Sequence, residues 1–177
     1  GSSITKCEAG IRYINHSGLE IEETVIANCK EGIYTLDGYF SLGDDVQFWG
    51  GNYFPMEVGI SAEGTLPLAA GLTIGNEDAV TGFAFISGAG IVANGLEHPT
   101  GAIVNNCVFG LSNGADAAAY FGGANDFEFK NNTMANLDRG VDNLATGANT
   151  NDVNCNEFED NDIATNVSDL VNESTKI

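Results

Sequence analysis

Cationic side chains are scarce in this chain. Six Lys and Arg stand against 25 Asp and Glu, giving a formal net charge of −19. So few cations cannot build the positive patch that a phosphate backbone or an anionic membrane requires, so nucleic-acid and membrane-surface partners are excluded. No apolar run approaches the length of a bilayer span, and no membrane insertion is expected. Proline is rare (3 residues), and the stretch from Phe127 to Val141 shows nothing of the 3.6-residue period of an amphipathic helix. The two histidines, His16 and His98, have no nucleophile or ligand partner at a recognisable spacing. Four cysteines are too few for the disulfide framework of a small secreted domain. Zinc and cysteine-nucleophile readings therefore have no support.

Glycine, by contrast, is abundant (23 residues), amid many Asn and Asp, while the hydrophobic fraction of 43% excludes a disordered chain. The stretch Phe127 to Val141 shows how these residues are used. Phe127 and Phe129 put two apolar side chains on one face of a short strand, two asparagines turn the chain, Met134 points inward from a second strand, and Gly140-Val141 opens a third. The glycine-apolar step recurs at Gly10-Ile11, Gly32-Ile33, Gly59-Ile60, Gly90-Ile91, Gly114-Ala115 and Gly140-Val141, and degrades to Ala164-Thr165. Six residues before each step comes Ile4, Ile26, Tyr53, Ala84, Val108, Met134 or Phe158. Mostly apolar columns also fall three and eleven residues before the step, the latter containing Ile21, Phe48, Ala79, Ile103, Phe129 and Val153. A unit of 22 to 31 residues with a fixed internal pattern and variable insertions is a solenoid coil.

The stretches 21–33, 103–109 and 129–136 carry a resemblance to the parallel β-helix repeat of the pectin-lyase-like superfamily. That resemblance, with the columns, gives the expected fold: an all-β, right-handed, single-stranded parallel β-helix of about six to seven coils. Residues 1–3 read as a cloning remnant, 4–169 as the β-helix and 170–177 as a C-terminal tail. The domain is expected to belong to a larger polypeptide. Side chains expected inside are Ile21, Ile26, Ile33, Phe48, Ile60, Ile103, Val108, Phe129, Met134 and Val141. Asn106, Asn132 and Asn156 precede the middle strand of three coils and are expected to form a ladder of stacked amides. Cys7 and Cys29 share a column, roughly 4.8 Å apart at the β spacing, and are read as stacked free thiols. Cys107 and Cys155 are expected to be unpaired. Residues 36–45, 63–76 and 117–125 read as long turns, and Glu97 and His98 lie on another.

Enzymes of the superfamily work on the outer face of the strand that starts at the glycine-apolar step. Asp116 and Asp142 fall in that outward column on neighbouring coils, and two carboxylates so placed suit calcium or the acid/base pair of a glycosidase. The motifs of polygalacturonase-like hydrolases are missing apart from Gly43-Asp44-Asp45, and Arg12 is the only basic residue in the column, which argues against a lyase. A second candidate surface is aromatic: Phe54, Phe85 and Phe109 read as a single outward row, with Trp49 and Tyr120 nearby, a stacking platform for sugar rings or a patch for a protein. The favoured reading is a non-catalytic domain of an extracellular or cell-surface protein, serving adhesion or contact with a glycan or other surface partner. A polysaccharide-acting enzyme and a purely structural spacer are the competing classes.

Overall fold

The structure, a computed structural model, describes residues 1–51, 54–66, 69–75, 81–96, 101–112, 115–122, 127–135, 137–143, 151–159, 163–167 and 170–171. The chain winds through three seven-stranded sheets, visiting each in turn, so that every strand pairs with the strand three further along the chain. All pairings are parallel. The first sheet contains Ser2–Thr5, Thr24–Ala27, Gln47–Trp49, Thr81–Ala84, Cys107–Gly110, Thr133–Ala135 and Glu157–Glu159. The second contains Ala9–Ile14, Glu31–Leu36, Met56–Glu63, Ile86–Asn94, Ala115–Gly122, Leu137–Asn143 and Ile163–Val167. The third contains Ser17–Ile21, Tyr39–Leu42, Gly71–Ile74, Ala102–Asn105, Phe127–Lys130, Asn151–Asn154 and Leu170–Val171. The expected parallel β-solenoid is the observed fold.

Its core is a set of columns parallel to the axis. In the first sheet the register aligns Ile26, Phe48, Phe83, Phe109 and Met134, all inward and buried. The rings of Phe48 and Phe83 stack at 4.8 Å and 6°, and those of Phe83 and Phe109 at 4.8 Å and 9°. That spacing is the rise between hydrogen-bonded strands, so the parallel register itself stacks the rings. The glycines of the second sheet make room for them. A β-carbon on Gly59 would lie 2.6 Å from the Gly90 carbonyl oxygen and 2.8 Å from the Phe83 ring, and one on Gly90 would lie 2.6 Å from the Ala118 oxygen and 2.7 Å from Phe109. The glycine-apolar step thus marks where a large ring on one wall meets bare backbone on another.

The fifth coil departs from the expected register. Ile91 pairs with Ala119, which puts Ala118 in the glycine column four residues beyond the step read at Gly114-Ala115; Gly114 itself lies outside the described residues, as do Tyr53, Ala79, Asn161, Glu97 and His98. Ala118, with a single methyl group, stands where Gly90 and Gly140 stand on the neighbouring coils. The same coil overturns two inward assignments. Val104, Cys107 and Phe109 are buried, whereas Ile103 is half-buried and Val108 is 46% exposed. Runs of adjacent apolar residues carry no parity, and a one-residue slip exchanges the faces of a strand. The other eight expected core residues are buried.

Three stretches read as turns contain strands. Tyr39–Leu42 and Gly71–Ile74 are members of the third sheet, with Phe40, Leu42, Leu72 and Ile74 buried, and 117–122 belongs to Ala115–Gly122. The corners that lead into the first two are tied together by one side chain. Asp37, buried and in the left-handed conformation (φ 50°), accepts hydrogen bonds from Thr65 Oγ1 (2.6 Å), the Thr65 N–H and the Leu66 N–H (2.8 Å). The Thr65 hydroxyl and these N–H groups hold its carboxyl below the usual aspartate range. A depressed folded-state pKa means that the stabilisation is present above the ordinary carboxylate range and is lost as pH falls through the lowered value. Asp37→Asn is expected to lower the melting temperature at pH 7, with the gap to the wild type closing in acid; an equal gap at pH 7 and pH 2 would remove the carboxylate from the account.

The amide ladder has two members, not three. The register places Cys107, Asn132 and Asn156 in one column. Asn132 donates to Asn156 Oδ1 (3.0 Å) and to the Val104 oxygen (2.9 Å), its own Oδ1 accepts the Cys107 N–H (2.8 Å), and Asn156 donates to the Phe129 oxygen (2.7 Å). Asn106 sits one position earlier, in the left-handed conformation (φ 53°) that Asn131 (54°) and Cys155 (52°) adopt at the same corner. The expected ladder confused this corner asparagine with the inward one that follows it.

None of the four cysteines is joined in a disulfide. Cys29 is buried and Cys7 exposed.

Candidate functional site

Two surfaces contain the residues singled out from the sequence. The first is the outer face of the second sheet, where one column runs Arg12, Tyr34, Ser61, Val92, Tyr120, Asp142 and Asn166. The neighbour of Asp142 in this column is Tyr120, not Asp116. Asp116 lies four residues earlier on its strand, opposite Asp138, because Ala115 pairs with Leu137 and Ala117 with Arg139. The expected carboxylate pair is therefore split, for the same reason that the glycine step was misplaced. Asp142 is completely buried despite its outward position, and Arg139, on the same strand and half exposed, donates to its Oδ2. A buried carboxylate needs such a partner.

Asp116, Asp138, Arg139, Asp142, Tyr120 and Val92 line a shallow cavity of about 320 Å³. Asp138 and Arg139 were missed from the sequence; the Asp138-Arg139-Gly140 run, next to the glycine step, was the available signal. At the other end of the column the Arg12 guanidinium lies 5.2 Å above the Tyr34 ring, and the Tyr34 hydroxyl donates to Glu63 at 3.5 Å. Among the described residues, no three His, Cys, Asp or Glu side chains come close enough together to hold a metal ion. Asp142 could enter a calcium site only by leaving Arg139.

The second surface is the corner between the first and second sheets. The aromatic row expected there loses Phe109, which is 1% exposed and stacked on Phe83 in the core. Phe54, Phe85 and Trp49 remain, at 52%, 55% and 48% exposed. Trp49 ends its strand between Ala27 and Ala84, whose small side chains leave the indole standing clear of the sheet. Phe85 follows Ala84 and packs against Trp49 with ring centroids 5.1 Å apart, tilted by 58°. Its backbone is left-handed (φ 55°), as at Lys6 and Asn28 on the same corner of other coils. Asparagine adopts that conformation readily and a bulky aromatic does not. Gln47, outward on the Trp49 strand, lies over Gly82 of the next coil and adds an amide to the surface. Tyr120 is absent from this surface; it belongs to the second-sheet column.

No protein-family model matches the chain, and neither do the curated proteins or the solved structures compared with it.

Proposed function

We propose that the protein is a non-catalytic β-helix domain of an extracellular or cell-surface protein, distantly related to the pectin-lyase-like β-helices, that binds a neutral glycan through the Trp49–Phe85 corner. The observation that carries this reading is Phe85. A solvent-exposed phenylalanine in a left-handed backbone gains little from burial and is disfavoured by its own conformation, so its presence at this corner points to a role beyond folding. Paired with Trp49 it offers two adjoining ring faces, flanked by the Gln47 amide, the combination on which sugar rings stack while their hydroxyls are hydrogen-bonded. A neutral ligand suits a chain of net charge −19, which repels polyanions. The competing glycosidase reading needs Asp116 and Asp142 as a pair, and these carboxylates lie in different columns, one of them engaged by Arg139.

The test is a glycan-array screen followed by titration of the best neutral ligand. Trp49→Ala is expected to weaken binding by about tenfold or more, the loss of roughly one stacking contact, with the melting temperature unchanged. Binding indifferent to both Trp49→Ala and Phe85→Ala would overturn the assignment of the surface.

A further inference from the structure

Cys7 and Cys29 are the only cysteines that occupy equivalent places on successive coils. Thr5 pairs with Ala27, and the Lys30 N–H donates to the Cys7 oxygen at 3.0 Å, so the two corners run in step and the α-carbons stand roughly one strand spacing apart. That separation lies within the range a disulfide spans. Their surroundings differ sharply. Cys29 is sealed in the core and its thiol donates to the Ala27 oxygen (3.5 Å); Cys7 is exposed, its thiol turned to the Thr5 oxygen (3.3 Å).

Cys7 also lines a cavity of about 410 Å³, with Lys6 and Lys30 on its wall and the exposed Phe54 beside them. Lys30 is held there by Glu8 (3.6 Å) and Glu57 (3.9 Å). The cavity gives a small reagent access to one sulfur, while the second sulfur waits behind it. In this structure the Cys7 side chain is exposed to solvent and has room to swing.

We propose that Cys7 and Cys29 form a hydroperoxide-reactive thiol pair, with Cys7 as the attacking and Cys29 as the resolving cysteine, closing to a disulfide that staples the first coil to the second. In the first step the Cys7 sulfur, its proton lost to solvent, attacks one oxygen of the hydroperoxide. The S–O bond forms, the O–O bond breaks and the alcohol or water departs with a proton, leaving Cys7 as a sulfenic acid oxidised by two electrons. In the second step Cys29 Sγ attacks the Cys7 sulfur, the S–S bond forms, and the hydroxyl leaves with the Cys29 proton as water. Burial pushes the Cys29 thiol up, so it keeps its proton until the sulfenic acid is beside it and does not compete for the oxidant. Cys107, sealed and likewise pushed up by burial, and Cys155, exposed but with no cysteine in register, are internal controls.

The experiment treats the reduced protein with one equivalent of hydrogen peroxide and maps its cysteines under non-reducing conditions. A Cys7–Cys29 crosslink, with the loss of two hydrogen atoms, is the expected main product. It is expected to raise the melting temperature by about 5 °C or more through closure of the intervening loop, and dithiothreitol should reverse the rise. Cys29→Ser should instead leave a sulfenic acid at Cys7 that dimedone traps; if that variant folds poorly, the wild-type crosslink map decides alone. Oxidation first at Cys155, or a Cys7 carried to the sulfinic acid while Cys29 remains alkylatable after denaturation, would overturn the pair.

Discussion

Phe83→Ala should cost about 3–5 kcal/mol, the range for deleting a buried phenyl ring. Phe83 is the middle of three stacked rings, 4.8 Å from both Phe48 and Phe109, and its edge fills the space above Gly59. Its removal leaves a hole that cannot close. The coils on either side are pinned at the β spacing by the ladders to Gln47–Trp49 and Cys107–Gly110, and Gly59 has no side chain to fill the gap. Phe83→Leu, which keeps much of the volume but forfeits the stacking, should lose less. Chemical denaturation measures both, and an alanine variant within 1 kcal/mol of the wild type would show that the stack is not a packed column.

Asn132→Ala should cost about 2–4 kcal/mol, though it removes far less volume. The amide serves three buried groups: it satisfies the Cys107 N–H and the Val104 oxygen and donates to Asn156 Oδ1. A buried polar group stripped of its partner costs about 1–3 kcal/mol, and none of the three can turn to water from inside a corner. Asn132→Asp keeps an acceptor for the Cys107 N–H but loses both donations and turns an oxygen toward Val104, so it should be no better than alanine at neutral pH. Asn106→Ala, at the left-handed corner position and outside the column of Asn132 and Asn156, should cost less. Thermal melts of the three variants test that order, and equal losses at Asn106 and Asn132 would return Asn106 to the ladder.

The architecture was legible because a solenoid repeats its instructions. Ile26, Phe48 and Met134 each occupy an inward column, and any one of them would have been ambiguous alone. Legibility failed where a coil used a different residue for the same purpose. Ala118 does the work of Gly90, and no glycine marks the position in the sequence. From that slip followed the pairing of Asp116 with Asp142, the outward Phe109 and the inward Val108. The third-sheet strands Tyr39–Leu42 and Gly71–Ile74 read as turns in the sequence because they are four residues long and bounded by glycine, so little alternation marks them. Of the candidate sites, exposure at Trp49, Phe54 and Phe85 could be anticipated from the sequence. The Arg139–Asp142 ion pair could not, since burial of an outward carboxylate depends on a side chain three residues away folding back over it.

The corners between the second and third sheets vary widely in length, from two residues between Leu36 and Tyr39 to seven between Glu63 and Gly71, while the strands they join hold the same register. Lengthening a loop already anchored at both ends costs little entropy. The ladders fix the ends of each corner irrespective of what lies between. These corners are accordingly natural grafting points: a foreign peptide placed between Leu66 and Gly71, beyond the hydrogen bonds to Asp37, would be displayed at a fixed height along a rigid rod, and several such inserts could be spaced in multiples of a single coil.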